Sequence, residues 1–417
     1  MDFFATAAKG TEPALRDELI GLRIGHIRAD RGGVHFSSTM EGAYKACLYS
    51  RIALKILMPL ATFDAGSEQK LYDGVRSVDW SQHISPRHTL AVTAWCRDSA
   101  LTHTNFVAQK VKDSVVDQQR DRHGSRSSVD RKDPDVPIFV HLVKNKATLY
   151  LDLSGESLHR RGYRRRTVEA PLKENLAAAC LRLAGWDRKS TLADPMCGSG
   201  TIAIEAWLWS RNIAPGLSRN KFAFERWPSF DSSCRKYMEE LRARARSEVL
   251  RQGPEIFASD KDHKAVMATE INARSAHAKI LVDKLSVFDI KPMSPPGFIL
   301  SNPPYGHRLE ADRKFYQQLG QRLRTLSGHR VGLLLAKESM ERDLGLKRDK
   351  FQIMFNGDIR FRLTMFTINH QKTRSRPRNS SAKKNRAHAN RGKSTYTKKS
   401  PWDEMKRTGH QKRGKKS

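Results

Sequence analysis

The sequence predicts an α/β chain in which a small α+β front half precedes a mainly parallel sheet flanked by helices. Three observations predict it. From about residue 171 the pattern alternates helix, strand, helix, strand, the rhythm of a parallel sheet with crossover helices. A turn, Gly198-Ser199-Gly200, separates the strand end Leu192-Ala193-Asp194 from a helix over 201–209, which lets backbone amides approach a ligand closely. Asn356-Gly357-Asp358 lies between strand-like runs over 351–355 and 360–368, a hairpin signal that closes the sheet with an antiparallel pair.

The elements follow in order. In the first unit, residues 1–45, Thr11 is placed to cap a helix with Pro13 in its first turn and Leu15, Leu19 and Leu22 on one face. Val34-His35-Phe36 reads as a short strand. A second unit, residues 46–158, carries a strand over 90–95 and a helix over 105–119 bearing Lys110 and Lys112. After a polar loop comes a hairpin over 138–143 and 147–153, whose turn Lys144-Asn145-Lys146 exposes basic residues able to touch phosphate. Residues 159–170 form a basic linker. In 171–370 a helix begins at Pro171, and strands are expected at 256–260, 280–288, 298–301 and 331–336. A long insertion over 212–252 is helical in its latter part. Residues 371–417 are rich in Lys, Arg, Ser, Asn and Gly and read as a disordered basic tail. No repeat of solenoid length occurs.

The charge points to a polyanionic partner. The 417 residues hold 76 Lys+Arg against 44 Asp+Glu, a formal charge of +32. Residues 371–417 hold 17 of the basic residues and only Asp403 and Glu404, so the rest of the chain is itself basic. The run Arg160-Arg161-Gly162-Tyr163-Arg164-Arg165-Arg166 combines cations with one aromatic at a junction between units. That pairing suits phosphates and a stacked base, and Arg160, Arg161, Tyr163 and Arg164 are taken with Lys110 and Lys112 as RNA-binding candidates. Five cysteines without CxxC spacing or a nearby His pair argue against a disulfide framework or a metal site, and for a cytoplasmic protein. No apolar run is long enough to span a membrane, and no export signal opens the chain.

Asn302-Pro303-Pro304-Tyr305, after the apolar run 297–300, carries the chemistry. An exocyclic amino nitrogen of a nucleobase is a poor nucleophile, because its lone pair is delocalised into the ring. The side-chain oxygen of Asn302 and the carbonyl of Pro303 can accept both amino hydrogens and aim that lone pair at an incoming methyl group. The prolines fix φ at two successive residues, and Tyr305 can stack on an extruded base. By itself the motif leaves guanine N2, adenine N6 and cytosine N4 open.

On the cofactor side, Gly198-x-Gly200-x-x-Ala203 also satisfies a relaxed dinucleotide fingerprint. The next acid at a strand end, Asp260, is far beyond the spacing of that motif, and hydride transfer has no use for Asn302-Pro303-Pro304-Tyr305. S-adenosylmethionine is therefore favoured. Asp260, with Asp262 as second choice, suits two ribose hydroxyls, and Asp289 suits an adenine amino group. Asp194, Pro195, Cys197, Gly198, Gly200 and Asn302 complete the cofactor-binding set. Each acid has the plainer reading of a helix cap, and Cys197 reads as a packed small residue rather than a nucleophile.

With Leu153-Ser154-Gly155-Glu156 through Arg164 and Ala170-Pro171-Leu172-Lys173-Glu174, these motifs resemble the bacterial THUMP-domain RNA methyltransferases over about residues 1–370. They come nearest to the half of the large-subunit enzyme that makes N2-methylguanine in 23S rRNA. The resemblance implies a ferredoxin-like unit (1–45), a THUMP RNA-binding domain (46–158) and a class I, Rossmann-like methyltransferase domain (171–370) with a mostly parallel seven-stranded sheet. It also implies an rRNA or large-subunit precursor as partner and a monomer or weak dimer. The second methyltransferase domain of many relatives is missing from the sequence, so the activity of that half is expected to be absent. Two other readings stand beside this one: an N6-adenine DNA methyltransferase, which the THUMP-like front half disfavours, and a non-catalytic RNA-binding or assembly factor, which has no use for Asp194 or Asn302.

Overall fold

The structure, a computed structural model, describes residues 1–168, 171–304 and 313–369. The front half comprises β1 (Asp2–Thr6), α1 (Glu12–Gly21), β2 (Gly25–Asp30), β3 (Gly33–Ser37), α2 (Met40–Tyr49), β4 (Lys55–Asp64), α3 (Glu68–Arg76), β5 (Leu90–Arg97), α4 (Thr104–His123), β6 (Val136–Val143) and β7 (Lys146–Asp152). Its strands form one sheet in the order β2-β3-β1-β4-β7-β6-β5, with only β5 and β6 parallel among its pairs. The ten-residue β4 pairs with β1 through residues 55–57 and with β7 through residues 57–64, so a single strand serves both expected units. The boundary expected at residue 45 falls inside α2, whose buried face of Ala43, Tyr44, Ala46, Cys47 and Leu48 continues across it.

The second half comprises α5 (Glu174–Ala184), β8 (Leu192–Asp194), α6 (Thr201–Ser210), α7 (Ser232–Ser247), β9 (Ile256–Asp260), α8 (His263–Ser275), β10 (Leu281–Lys284), β11 (Phe298–Ser301), α9 (Arg313–Arg324), β12 (Arg330–Leu335), α10 (Glu338–Leu344), β13 (Lys350–Asn356) and β14 (Ile359–Thr367). The sheet order is β10-β9-β8-β11-β12-β14-β13. The first five strands are parallel, and β14 runs antiparallel between β12 and β13. The inner strands read as apolar runs because helices cover both faces, leaving β8 and β11 wholly buried. The strand expected over 280–288 stops at Lys284, since β10 is an edge strand and its partner β9 ends at Asp260.

The two halves meet on aromatic and backbone contacts. The insertion between α6 and β9 lays Phe224 flat against Tyr44 of α2, with ring centroids 4.1 Å apart, and Arg226 donates to Asp133 at 2.8 Å and to the Pro134 carbonyl at 2.7 Å. At the far side the edge strand β13 is met by the loop before α1, where Phe355 N–H donates to the Lys9 carbonyl at 3.1 Å. Gly10 sits there with φ +91°, and a Cβ on it would lie 2.1 Å from the Ile353 carbonyl oxygen. Thr11 precedes α1 as expected, but its hydroxyl donates back to Ala8, while the Glu12 carboxylate receives the Gly10 and Gly32 amides.

Gly10→Ala combines an unfavourable φ with that collision. It should destabilise the protein by about 1–3 kcal/mol, measured as a lower urea midpoint, whereas Gly32→Ala, whose Cβ would meet nothing within 4 Å, should suffer from φ alone and lose less.

Candidate active site

The carboxyl ends of β9, β8 and β11 open into one cavity of about 660 Å³. The chain runs outward from β8 to β9 and β10 and then returns to β11 on the other side, so β8 and β11 flank the crevice where open α/β sheets bind ligands. Asp194, Asp260 and Asn302 all line it.

Between β8 and α6 the chain turns through Gly198 at φ +55° and Gly200 at φ +79°. Gly200 admits no side chain, because a Cβ would stand 2.7 Å from Cγ2 of Thr269 on α8. The turn is held from the neighbouring strand: Cys197 N–H donates to the Ser259 carbonyl at 3.0 Å, and Gly198 N–H to Asp260 Oδ2 at 3.1 Å. Asp260 Oδ1 accepts from the Asp262 amide at 3.0 Å. Asp260 therefore shapes the loop as well as facing the cavity. Asp262 takes the plainer role, capping α8 by accepting from Lys264 N–H at 2.9 Å. Cys197 is 7% exposed, and burial pushes its thiol well above the usual range, in keeping with a packed residue.

Asp194 is 1% exposed. Burial pushes its carboxyl up to about 7, even though Ser301 Oγ donates to it at 2.5 Å across the β8–β11 boundary. Beside it, Asn302 Oδ1 is buried and has no hydrogen-bond partner among the described residues. An orphaned buried acceptor costs about 1–3 kcal/mol and is retained where a ligand donor completes it. Pro303 and Pro304 line the cavity, and the Pro304 carbonyl accepts from Tyr316 Oη at 3.3 Å. Tyr305 lies outside the described residues, as does the tail from residue 370.

Several expectations are corrected. Asp289 is exposed and outside the lining; the turn in which its amide donates to the Ser286 carbonyl at 2.9 Å presents Ser286, Val287 and Phe288 to the cavity instead. Arg161 and Tyr163 do not reach RNA. They are 5% and 3% exposed and converge on Glu205 of α6, Tyr163 Oη at 3.1 Å and Arg161 Nε at 3.6 Å. Arg164 is also committed inward, donating to Glu174 Oε1 at 2.9 Å, the Leu172 carbonyl at 2.8 Å, Ser199 Oγ at 3.1 Å and Thr201 Oγ1 at 3.2 Å. Asn272 ties the linker to the same loop, accepting from the Arg165 and Arg166 amides and donating to the Ser199 carbonyl. Arg160 is exposed and pairs with Glu156; Lys110 and Lys112 are half-buried beside Glu68 and Asp113. Phe288, Ser199 and Thr201 are the site residues that sequence reasoning missed; only the Phe-Asp step at 288–289 carried a usable signal.

Residues 2–57 match an RlmL ferredoxin-like domain, residues 65–152 a THUMP domain, and residues 161–364 the family described as RMKL-like, methyltransferase domain. A Synechocystis protein, "Putative RNA methyltransferase slr0064", is 38% identical over 363 residues, covering 86% of this chain and 94% of that protein. The chain belongs to the THUMP-domain class I RNA methyltransferases. Within this family, Ribosomal RNA large subunit methyltransferase K/L of Methylococcus capsulatus is 43% identical over 378 residues, 88% of this chain and 51% of that protein, so the chain spans about half the length of the K/L relatives it matches. The solved structure of SMU.472, complexed with SAH, superposes with a TM-score of 0.79 at 30% identity, covering 88% of this chain and 97% of that one. Among the described residues of this chain no group of three or more His, Cys, Asp or Glu is placed to hold a metal ion, and no helix is long and apolar enough to cross a membrane.

The Asp194 carboxyl gives a signed prediction. Its folded pKa lies above the unfolded value, so the native state holds the extra proton and stability falls as pH rises from about 4 through about 7. Asp194→Asn should remove that slope and stabilise the ligand-free protein at pH 8, by at most ~4 kcal/mol, in urea titrations run at pH 5 and 8. Parallel pH dependences would contradict the assignment.

Proposed function

We propose that this methyltransferase moves a methyl group from S-adenosylmethionine to an exocyclic amino group of a base in structured RNA, and that the base is a guanine of 23S rRNA methylated at N2. The observation that carries the reading is the unpartnered Asn302 Oδ1 at the β11 end, beside the glycine turn. The relatives named as rRNA large-subunit methyltransferases and the THUMP match support the RNA substrate. SMU.472, solved with SAH, supports the cofactor.

When bound, S-adenosylmethionine supplies a methyl group on a positively charged sulfur. The residues of the chain do the rest. The Gly198–Gly200 turn offers backbone at close range, and Asp260 has a free lone pair on each oxygen after its two amide bonds, enough to accept from a ribose hydroxyl. Phe288 presents an aromatic wall suited to a purine. Asn302 Oδ1 accepts one hydrogen of the target amino group and the Pro303 carbonyl the other, turning the lone pair towards the methyl carbon. The nitrogen becomes acidic as it is alkylated, so its proton leaves to water without a dedicated base. Lys110, Lys112, Arg160 and residues 371–417 are assigned to phosphate contact, since none of the three named side chains is buried.

Three outcomes test the reading. Asn302→Ala should lower kcat roughly 100-fold or more with RNA affinity unchanged, assayed by labelled-methyl transfer to rRNA from a strain lacking the gene. Nucleoside mass spectrometry of the product should return N2-methylguanine; N6-methyladenine, or label in plasmid DNA alone, would sink the substrate assignment. Arg164→Ala should weaken S-adenosylmethionine binding about tenfold by loosening the Ser199–Thr201 turn, with Arg164→Lys intermediate. Were Arg164 an RNA contact, the salt slope of RNA binding would change instead.

A further inference from the structure

The front sheet has two faces of opposite character. In β6 the inward residues Val136, Ile138, Val140 and Leu142 are at most 1% exposed, as are Leu149 and Leu151 of β7, and they share a core with Val107, Val111 and Val115 of α4. The outward residues of the same strands are Phe139, His141, Val143, Lys146, Thr148 and Tyr150, joined by Trp95 and Arg97 of β5 and by Phe4 and His35 across the sheet. A face that only had to be wetted would carry threonine, lysine and glutamate. This one carries rings, and they are in register: Trp95 stacks on His141 at 4.9 Å and 11°, Phe139 meets His141 at 6.4 Å and Tyr150 at 6.0 Å, and Phe4 meets His35 at 4.6 Å. Trp95 remains 43% exposed on the edge strand.

Between the Phe4–His35 pair and the His141–Tyr150 side lies a depression of about 430 Å³, floored by Thr62 and Thr148 and bordered by Lys146. Arg97 stands 5.6 Å from the Trp95 ring. The acids on this face are already engaged, Asp2 by the Ser37 hydroxyl, Asp30 by His35 and Arg28, and Asp98 by Arg97. Lys144 and Lys146, on the β6–β7 hairpin, have no carboxylate partner among the described residues and leave the rim positive. Flat rings with polar edges, hydroxyls in a slot and unpaired cations at its border match the chemistry of single-stranded nucleic acid, where bases stack on aromatics and phosphates meet lysine. A protein surface or a second copy of this chain would call for the branched aliphatics that this face nearly lacks.

We propose that the open face of the front sheet, centred on Trp95, His141 and Tyr150, is a stacking platform for unpaired bases flanking the methylated nucleotide. It rests on RNA being the substrate but concerns a site on a different sheet from the cavity. A helix gripped only by charge would slide; a stacked single strand fixes the register of the duplex it leaves. His141 suits the role as a neutral ring, since burial lowers its pKa.

The test uses the full chain and a labelled single-stranded RNA of about ten nucleotides, at salt high enough to screen phosphate contacts while stacking persists. Trp95→Ala and Tyr150→Ala should each weaken binding about tenfold, and Trp95→Phe should retain it. Affinity for S-adenosylmethionine and for blunt duplex RNA should be unchanged in all three, which shows that the fold is intact. Equal binding by wild type and both alanine variants, or no single-strand binding by wild type, would overturn the proposal. So would loss of self-association in sedimentation with oligonucleotide binding intact, which would make the face a contact between copies. If instead the platform binds as expected while methyl label enters only DNA, the substrate reading fails and the platform stands.

Discussion

The arrangement of the two halves depends on one buried acid. Glu205 of α6 is fully buried and accepts from Tyr163, with Arg161 alongside. Arg161 in turn donates to the carbonyls of Leu158 and Arg51, and Arg51 reaches the Ile213 carbonyl at 2.5 Å. Burial raises the Glu205 carboxyl while Arg161 and Arg51 pull it down. Such a network contributes little net stability, but removing one member leaves a charge stranded at a cost of about 3–5 kcal/mol. Its use is geometric. It holds one arrangement, in which Glu205 Oε2, Arg161 Nε and Arg51 Nη1 have no hydrogen bond among the described residues, and that arrangement sets the linker, hence Arg164, hence the turn that walls the cavity.

That chain of dependence explains which features were legible in the sequence. Strand ends were, because a buried parallel strand is an apolar run and its first acid or amide marks where the backbone leaves the sheet; Asp194, Asp260 and Asn302, read in this way, all line the cavity. The linker arginines were not. Charge density along a sequence cannot reveal that Glu174 and Glu205, 10 and 42 residues further on, fold back to meet Arg164 and Tyr163. Asp289 failed for a smaller reason: β10 ends at Lys284 and a tight turn follows, which displaces the facing residue by one to Phe288. The unit boundary failed because β4 is long enough to pair on both sides.

The cavity concentrates local costs that the rest of the fold offsets. A carboxyl held near neutral pKa and a buried amide oxygen with no donor among the described residues occur within one crevice, beside a turn that uses two glycines at positive φ. None of them helps the protein fold. A ligand donor would relieve the carboxyl and the amide oxygen, and the glycine turn lets backbone approach that ligand, which is the pattern of a pre-organised site and makes ligand binding a stabilising event.

Charge alone cannot account for how such a site finds one nucleotide. Residues 371–417 hold 17 of the 76 basic side chains, and phosphate contacts of this kind give affinity that is blind to sequence. On the proposed function, selection would come from groups able to touch bases: Asn302 and the prolines that line the cavity, and rings elsewhere on the surface. The Glu205 network ties the linker and Arg51 of the front half to α6, so this arrangement sets one separation between the front sheet and the cavity. On the proposed RNA substrate, such a span would convert two weak, separate recognitions into one requirement on RNA shape, since only an RNA that places its extruded base at that distance would satisfy both together.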